Sequence, residues 1–248
     1  MELSDFFAQN PRAALAFSGG VNSAYLLYAA GVYGAQVRAY YVNSPFQPRF
    51  ELEDACRLAA ELGADMQILE LDTLQDTQIT ANPKNRCYYC KKRIFSAIAR
   101  QAQADGFPVL LDGTNASDDA ADRPGMAALQ ELSVRSPLRE CGLTKADIRR
   151  LSKEAGLFTH DKPAYACLAT RIPTGQPITA EKLQATEQAE SYLFSLGFSD
   201  FRIRMDGTAG KIQLRQEQLE KLLQHRAEIL STLKAFYSSV LLDLEVRT

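Results

Sequence analysis

The sequence of 248 residues contains no hydrophobic run approaching the roughly 18 apolar residues that a membrane-spanning helix needs. Its first ten residues include Glu2 and Asp5, but they hold neither a basic cap nor a long apolar core of the kind found in secretion signals. These absences predict a cytoplasmic protein with no membrane partner.

An excess of basic residues is also missing. The formal net charge is -2, whereas nucleic-acid-binding domains usually carry a marked positive charge. We therefore expect no nucleic-acid partner, and a local basic groove stays open as the alternative. The hydrophobic content of 46% and charged content of 23% are ordinary for a globular protein with one large or two modest domains.

Short apolar runs alternate with amphipathic segments through the first part of the chain. The predicted strands cover 13–17, 36–42, 65–71 and 109–112, and the predicted helices start at 23 and cover 49–61, 88–104 and 144–155. This alternation predicts an α/β fold with a mainly parallel sheet and helices on both faces. Ligands of such sheets bind beyond the carboxyl ends of the strands, where the loop 18–23 and the segment after Asp112 both fall.

The pattern changes after a Pro- and Gly-rich stretch that ends near Gly175. A helix is followed by a hairpin-like pair of strands at 201–205 and 211–215, a long helix over 216–237 and a closing strand over 241–246. We therefore predict a larger domain over 1–175 and a smaller C-terminal α+β domain over 176–248, which would serve substrate binding or oligomerisation.

A glycine-rich turn, Ser18-Gly19-Gly20-Val21-Asn22-Ser23, joins the first predicted strand to a helix. Glycines let the backbone approach an anion, and the helix N-terminus supplies unpaired N–H donors. A plain tight turn is the alternative. The turn lacks the Gly-Lys-Ser/Thr ending of a P-loop. It resembles the phosphate loop (PP-loop) of the N-type ATP pyrophosphatases, which implies an adenine-nucleotide alpha-hydrolase-like fold and cleavage of ATP between its α and β phosphates.

Cysteine spacing points to a metal. Five cysteines without a secretion signal favour thiols or metal ligands over a disulfide framework. Cys87 and Cys90 are three residues apart, on one side of a turn, and Cys167 lies in a predicted loop. Three thiolates would leave one iron of a [4Fe–4S] cluster open. The alternative is a closed structural zinc with Cys141 or His160 as the fourth ligand.

Several motifs in the same order, spanning nearly the whole chain, resemble the LarE family. Besides the loop, they are Asn82-Pro83-x-x-Arg86-Cys87-Tyr88-Tyr89-Cys90-Lys91, Leu111-Asp112-Gly113-Thr114-Asn115, Val134-Arg135-Ser136-Pro137-Leu138 and Cys167-Leu168-Ala169-Thr170-Arg171-Ile172-Pro173. The family comprises ATP-dependent sulfur transferases of nickel-pincer nucleotide cofactor synthesis. The resemblance implies a pyridinium mononucleotide substrate whose two carboxylates become thiocarboxylates, and it also implies a homo-oligomer.

Two sulfur sources follow from the resemblance. Some members of the family give up the sulfur of a single cysteine and keep dehydroalanine, whereas others have three cysteines and deliver a sulfide carried on a [4Fe–4S] cluster. Cys87, Cys90 and Cys167 favour the cluster type, which implies a separate sulfide donor. Cys167 also falls at or near the sacrificial position, so both routes stay open.

Individual residues can also be assigned roles. Asn22 departs from the family, which usually has Asp there, and the change removes a negative charge that could hold Mg²⁺ on pyrophosphate. Arg171 is a candidate for keeping sulfur ionised or binding a substrate anion, with an ordinary surface charge as the alternative. Arg202 and Arg204 alternate along a strand and are predicted to clamp the nucleotide phosphate from one face, which the resemblance favours; an ordinary solvated strand face is the alternative. The residues predicted to bind ATP are Ser18, Gly19, Gly20, Asn22, Ser23 and Asp112.

Other polar residues receive weaker predictions. Asp118, Asp119 and Asp122 crowd the loop after the fourth strand without an assigned role. Cys56 is predicted to lie in the core, on the apolar face of its helix, and His160 is expected to be an ordinary loop residue.

Two other functions remain compatible with the sequence. One is a tRNA thiolase or another PP-loop enzyme that adenylylates its substrate, which the acidic charge balance disfavours. The other is a nucleotide-binding or metal-carrying module without catalysis, which Asn22 keeps open.

Overall fold

The computed structural model describes residues 1–118, 124–245 and 247. Asp119, Asp122 and Val246 lie outside the described residues. The chain forms two compact units, of which the first comprises Met1–Asp72 with Asn85–Lys162 and the second comprises Thr73–Lys84 with Pro163–Thr248. The domain boundary near Gly175 stays a prediction.

Helices and strands follow one another along the described chain. The helices are α1 (Leu3–Gln9), α2 (Val21–Val32), α3 (Arg49–Glu61), α4 (Thr77–Thr80), α5 (Arg86–Ala104), α6 (Pro124–Glu131), α7 (Pro137–Glu140), α8 (Lys145–Glu154), α9 (Ala180–Ser195), α10 (Leu219–Gln224) and α11 (Arg226–Leu233). The strands are β1 (Arg12–Ala16), β2 (Gln36–Asn43), β3 (Met66–Glu70), β4 (Leu110–Leu111), β5 (Arg202–Asp206), β6 (Ala209–Gln213) and β7 (Val240–Leu242). Turns of 3-10 helix lie at Thr73–Gln75, Phe158–Asp161, Leu168–Arg171 and Gln216–Gln218. Each helix of the described chain is too short or too polar to cross a lipid bilayer.

The sheet of the first unit is parallel throughout, with the strand order β3-β2-β1-β4. Leu15 of β1 is paired with Ala39 of β2 on one side and with Leu111 of β4 on the other. The prediction of a parallel α/β sheet is therefore confirmed. Because β1 and β4 are neighbours, the segments that follow them leave the same edge of the sheet side by side.

Helices cover both faces of this sheet, as the sequence predicted. Ala13 and Leu15 of β1 point into a core that also holds buried residues of α1, α2, α3, α7 and α8. Ala14, between them, points to the opposite face and packs with residues of α5 and α6. The alternation follows from the period of two in a strand, so β1 is apolar on both sides.

Helix α3 has the predicted bounds, but its buried face differs from the prediction. Ala55, Leu58 and Ala59 are buried, whereas Cys56 is exposed. The prediction that Cys56 is a core residue was therefore wrong. Successive residues of an α-helix lie about 100° apart, so Cys56 points away from the face that Ala55 presents to the sheet.

The second unit contains a three-stranded sheet with the order β5-β6-β7. Strands β5 and β6 are antiparallel, so the predicted hairpin is confirmed, and β6 begins two residues earlier than predicted. Its core contains Leu193 of α9, Ile203 of β5 and Ile212 of β6. The prediction of one helix over 216–237 was wrong, because the chain instead forms a 3-10 turn, α10 and α11, with His225 between the two α-helices.

Candidate functional site

The predicted phosphate loop lies between β1 and α2, at the carboxyl edge of the parallel sheet. Ser18 is exposed, and its backbone N–H donates to Ser23 Oγ at 3.3 Å, while the two hydroxyl oxygens are 3.2 Å apart. Gly20 is the N-cap residue of α2, so the N–H groups of the first helical turn lie at the loop. Such N–H groups and hydroxyls form a ready-made site for an anion.

Gly19 gives the loop its shape. Its φ angle of +68° lies in the left-handed region, which side-chain-bearing residues rarely adopt. A Cβ atom at this position would come within 3.1 Å of Ala55 Cβ on α3. Two independent constraints therefore require glycine here, one from the backbone conformation and one from the helix packed against the loop.

Asp112 follows β4 and is 5% exposed. One of its carboxylate oxygens accepts hydrogen bonds from the Thr114 backbone N–H at 3.2 Å and from Ser136 Oγ at 2.7 Å, and the other accepts from the Thr114 hydroxyl. These hydrogen bonds to the carboxylate thus fix the conformation of the segment after β4. Its predicted role in binding nucleotide stays a prediction.

Asn22 connects the phosphate loop to the segment after β4. Its Nδ2 group donates to the Gly113 carbonyl oxygen at 2.7 Å. Gly113 allows this approach, because a Cβ atom there would lie 3.1 Å from Ser23 N and 3.2 Å from Asn22 Cβ. The prediction that the two segments meet at one edge of the sheet is confirmed by this contact.

Lys145 brings a positive charge to the same place. Its Nζ group lies 2.9 Å from Asn22 Oδ1 and donates to it. Lys145 is the first residue of α8, directly after the Thr144 N-cap, which forms a capping box with Asp147. Burial lowers the pKa of the Lys145 ammonium group, and Arg149 lowers it further, while Asp118 acts in the opposite direction.

Cys87 and Cys90 are the second and fifth residues of α5, so the predicted turn is helical. Cys87 is exposed and Cys90 is half-buried. Residues three apart lie on the same side of a helix, which keeps the pair suited to ligate one soft metal. The guanidinium of Arg86 lies 4.0 Å from Cys87 Sγ.

Cys167 belongs to the second unit and precedes the 3-10 turn Leu168–Arg171. Its carbonyl oxygen accepts hydrogen bonds from Thr170 N at 3.0 Å and from Thr170 Oγ1 at 2.8 Å. Arg171 Nη1 donates to the Ala166 carbonyl oxygen at 2.6 Å and contacts that of Cys167 at 3.3 Å. These hydrogen bonds therefore fix the backbone before and after Cys167.

Arg171 is 1% exposed, which excludes the ordinary surface charge considered from the sequence. Its Nε and Nη2 groups donate to the two carboxylate oxygens of Glu190 at 2.9 and 3.0 Å. Glu190 also accepts from the Tyr165 hydroxyl and from the backbone N–H of Ile203 at 2.8 Å. Because the same guanidinium also contacts the carbonyl oxygens of Ala166 and Cys167, it holds the Cys167 segment in place.

Arg202 and Arg204 lie on β5 at alternate positions, and their environments differ. Arg202 is buried, and its guanidinium donates to the carbonyl oxygens of Phe201 and Ala164, each at 2.6 Å. Arg204 is exposed and donates to Gln213 Oε1 at 2.7 Å and to the Thr170 carbonyl oxygen at 2.9 Å. Burial lowers the pKa of both guanidinium groups, as do the neighbouring charges of Arg171 and Arg247. The Glu190 carboxylate acts on both in the opposite direction. The arginines that surround this single carboxylate favour an anionic ligand.

The sequence interpretation missed two residues of these sites, Lys145 and Glu190. Lys145 sits where a helix start was predicted, but its contact with Asn22 spans 123 positions in the chain. Glu190 lies inside α9, where a charged residue is usually solvent-exposed, yet it is 1% exposed. No local pattern marks either residue.

The metal ligands predicted from the sequence are divided between the two units. Within either unit, the described Cys, His, Asp and Glu residues form no group of three or more that could hold a metal ion. The predicted ligands Cys87 and Cys90 belong to the first unit and Cys167 to the second. Their thiol chemistry suits an iron–sulfur cluster, and this ligation stays a prediction.

The fold and the loop define a class, the parallel α/β proteins with a glycine-rich strand-to-helix loop at the carboxyl edge of the sheet. No protein-family model matches the chain. A protein of Lactiplantibacillus plantarum named pyridinium-3,5-bisthiocarboxylic acid mononucleotide synthase is 34% identical over 236 residues, which cover 94% of this chain and 86% of that protein. The chain therefore belongs to the LarE family of pyridinium-3,5-bisthiocarboxylic acid mononucleotide synthases.

Two further relatives have no described function. An uncharacterised protein of Synechocystis is 37% identical over 98% of this chain and 92% of its own length. An uncharacterised protein of Methanocaldococcus jannaschii is 26% identical over 96% of this chain and 91% of its own length. The similarity therefore extends over both units in each of these relatives.

Proposed function

We propose that this chain is an ATP-dependent sulfur transferase that converts carboxylates of a pyridinium dicarboxylate mononucleotide into thiocarboxylates. The observation that carries the proposal is the 34% identity, over 94% of the chain, with a protein named for a bisthiocarboxylate mononucleotide product. The phosphate loop at the carboxyl edge of the sheet supports the use of ATP.

The first step activates a carboxylate, which does not exchange oxygen for sulfur unaided. A carboxylate oxygen of the substrate attacks the α phosphorus of ATP, forms an acyl adenylate and releases pyrophosphate. The N–H groups at the start of α2 and the hydroxyls of Ser18 and Ser23 would donate to the phosphate oxygens, stabilising the charge that develops there. Lys145 would add a positive charge beside them.

The second step forms the carbon–sulfur bond. A sulfur nucleophile attacks the acyl carbon, and AMP leaves with the electron pair of the broken carbon–oxygen bond. A [4Fe–4S] cluster held by Cys87, Cys90 and Cys167 would supply that sulfur when bound. On the alternative route, the Cys167 thiolate itself attacks, and elimination from the resulting thioester leaves dehydroalanine at position 167.

The second unit supports binding of an anionic substrate. Arg204 is exposed, and the charges of Arg171 and Arg247 raise the positive potential around it, while Glu190 and Asp243 act in the opposite direction. Glu190 is the carboxylate that neutralises Arg171. We propose that the phosphate of the mononucleotide binds at Arg204, with Arg202 fixing the strand beneath it.

Product formation tests the proposal. The purified chain, incubated anaerobically with ATP, Mg²⁺, sulfide and the pyridinium dicarboxylate mononucleotide, should release AMP and pyrophosphate. Release should require the mononucleotide and should be unaffected by tRNA. Release that requires tRNA would instead identify a tRNA thiolase, and ATP binding without any AMP would identify a non-catalytic nucleotide-binding module.

A further inference from the structure

The side chain of Asn22 has no free hydrogen-bonding atom with which to hold a metal ion. Its Nδ2 group donates to the Gly113 carbonyl oxygen at 2.7 Å, and its Oδ1 atom accepts from Lys145 Nζ at 2.9 Å. A cation ligated by Oδ1 would have to displace the ammonium group or sit beside it, at a cost in like-charge repulsion. Residue 22 therefore does not fit Mg²⁺.

The carboxylate that follows β4, Asp112, does not fill this role either. Both oxygens of Asp112 are occupied, one by Ser136 Oγ and the Thr114 N–H, the other by the Thr114 hydroxyl. Hard cations such as Mg²⁺ need oxygen ligands that are free to turn toward the ion. A cation at either of these two side chains would therefore compete with hydrogen bonds that are already formed.

Lys145, unlike Asn22 and Asp112, is itself a cation. No carboxylate among the described residues lies within ion-pair distance of its Nζ group, whose hydrogen-bond partner is a neutral amide oxygen. The ammonium group is half-buried, and it stands at the N-terminus of α8, where the helix dipole is also positive. The carboxylate of Asp118 acts on it only from beyond ion-pair distance. A half-buried ammonium group whose hydrogen-bond partner is neutral is stabilised by an anionic ligand.

Asn22 places this charge beside the loop. The amide links Lys145 on α8 to Gly113 and to the first turn of α2. An aspartate at position 22 could accept from Lys145 but could not donate to the Gly113 carbonyl oxygen, and it would neutralise the ammonium group. Asparagine therefore holds Lys145 in position without offsetting its positive charge toward the loop.

We propose that Lys145, positioned by Asn22, replaces a loop-held Mg²⁺ as the cation that binds the phosphates of the nucleotide, so that ATP binds this chain without a divalent metal. The inference rests on the proposed function. It assigns Lys145 as a phosphate-binding residue and Asn22 as a positioning residue.

Calorimetry of ATP binding to the full chain, in EDTA and in Mg²⁺, tests this inference. The wild type should bind ATP in EDTA with a Kd within about tenfold of its Kd in Mg²⁺. Lys145→Gln should weaken binding in EDTA at least about tenfold, or about 1.4 kcal/mol, since it removes a charged hydrogen-bond donor to the phosphates. Lys153→Gln is the matched control, because Lys153 is exposed on the same helix, and its Kd should not change.

Two more variants separate charge from folding. Lys145→Arg keeps the charge and should retain binding in EDTA, which a general packing defect at this position would not allow. Asn22→Asp should lose most binding in EDTA and recover part of it in Mg²⁺, because the carboxylate pairs with Lys145 and offers the metal an oxygen ligand. Thermal unfolding of each variant shows that it is folded.

The outcomes distinguish this inference from the proposed function. If the wild type binds ATP in Mg²⁺ only, or if Lys145→Gln binds as tightly as wild type in EDTA, the inference is overturned while the proposed function stands. If the wild type binds ATP under neither condition, the proposed function and the inference both fail.

Discussion

The guanidinium of Arg171 forms a two-pronged ion pair with the carboxylate of Glu190, through contacts of 2.9 and 3.0 Å. The two side chains are 0% and 2% exposed. The remaining Nη1 group of Arg171 faces the carbonyl oxygens on either side of the Cys167 peptide segment. The backbone conformation around Cys167 therefore depends on a buried ion pair.

Breaking this pair should destabilise the second unit strongly. Glu190→Gln leaves the Arg171 guanidinium buried without a counter-charge, and such a loss typically costs about 3–5 kcal/mol. Urea unfolding followed by circular dichroism measures the change. Glu217→Gln is the control, because the Arg215–Glu217 pair is exposed and should contribute less than about 1 kcal/mol. Equal unfolding midpoints for the two variants would contradict the structural role given to Glu190.

The phosphate loop should not tolerate a side chain at Gly19. Gly19→Ala places a Cβ atom 3.1 Å from Ala55 Cβ and forces alanine into the left-handed region, so we expect ATP binding to be lost. Gly34→Ala introduces the same backbone strain at a φ of +70°, but no atom lies within 4 Å of the added Cβ. That variant should lose about 1–2 kcal/mol of stability and keep its affinity for ATP. Calorimetry with ATP compares the two, and undiminished binding by Gly19→Ala would show that the loop does not hold the nucleotide.

Local sequence patterns predicted much of the first unit because its elements are encoded locally. The apolar stripe of α3 and the Gly63 that follows it gave the observed bounds of Arg49–Glu61. The positive φ of 57° at Gly63 shows why glycine ends this helix. The parallel sheet followed from the alternation of strands and helices, which is a property of the whole pattern and not of one residue.

Contacts that join distant segments could not be predicted in this way. The position of Lys145 beside Asn22 depends on how α8 packs on α2, and this packing has no signature in either segment. The break at His225 was missed for a related reason. Leu222, Ile229 and Leu233 all enter the core of the second unit at spacings that one continuous helix would also give. Periodicity alone therefore does not reveal the interruption.

Arg204 should determine affinity for the mononucleotide. We expect Arg204→Gln to raise the KM for the mononucleotide about tenfold or more and to leave the KM for ATP unchanged, because a charge-assisted bond to phosphate is lost. Arg215→Gln, an exposed arginine of the same unit, should leave both constants unchanged. Steady-state release of AMP measures both constants. A change in the KM for ATP alone would contradict the assignment of Arg204 to the mononucleotide phosphate.

Alkaline solution should destabilise the first unit through Tyr40. Burial, followed by the hydrogen bond to Asp105, raises the pKa of Tyr40 to about 12. An unfolded tyrosine ionises near pH 10, so the stabilisation is fully present below about pH 10 and is lost as the pH rises to about 12. The decline in unfolding free energy over this range should be smaller in Tyr40→Phe. Tyrosinate absorbance should show one fewer late-titrating group in that variant, and identical titrations would contradict the shifted pKa.

The sulfur source should be decided by which cysteines bind iron. After anaerobic reconstitution with iron and sulfide, the wild type should hold about four irons per chain, and replacement of Cys87, Cys90 or Cys167 by serine should remove most of them. Cys56→Ser is the matched control, since Cys56 is an exposed cysteine outside the predicted ligand set, and it should retain the iron. Mass spectrometry after turnover supplies the opposing test. Loss of one H₂S at Cys167, with iron content unaffected by Cys87→Ser, would establish the sacrificial route in place of the cluster.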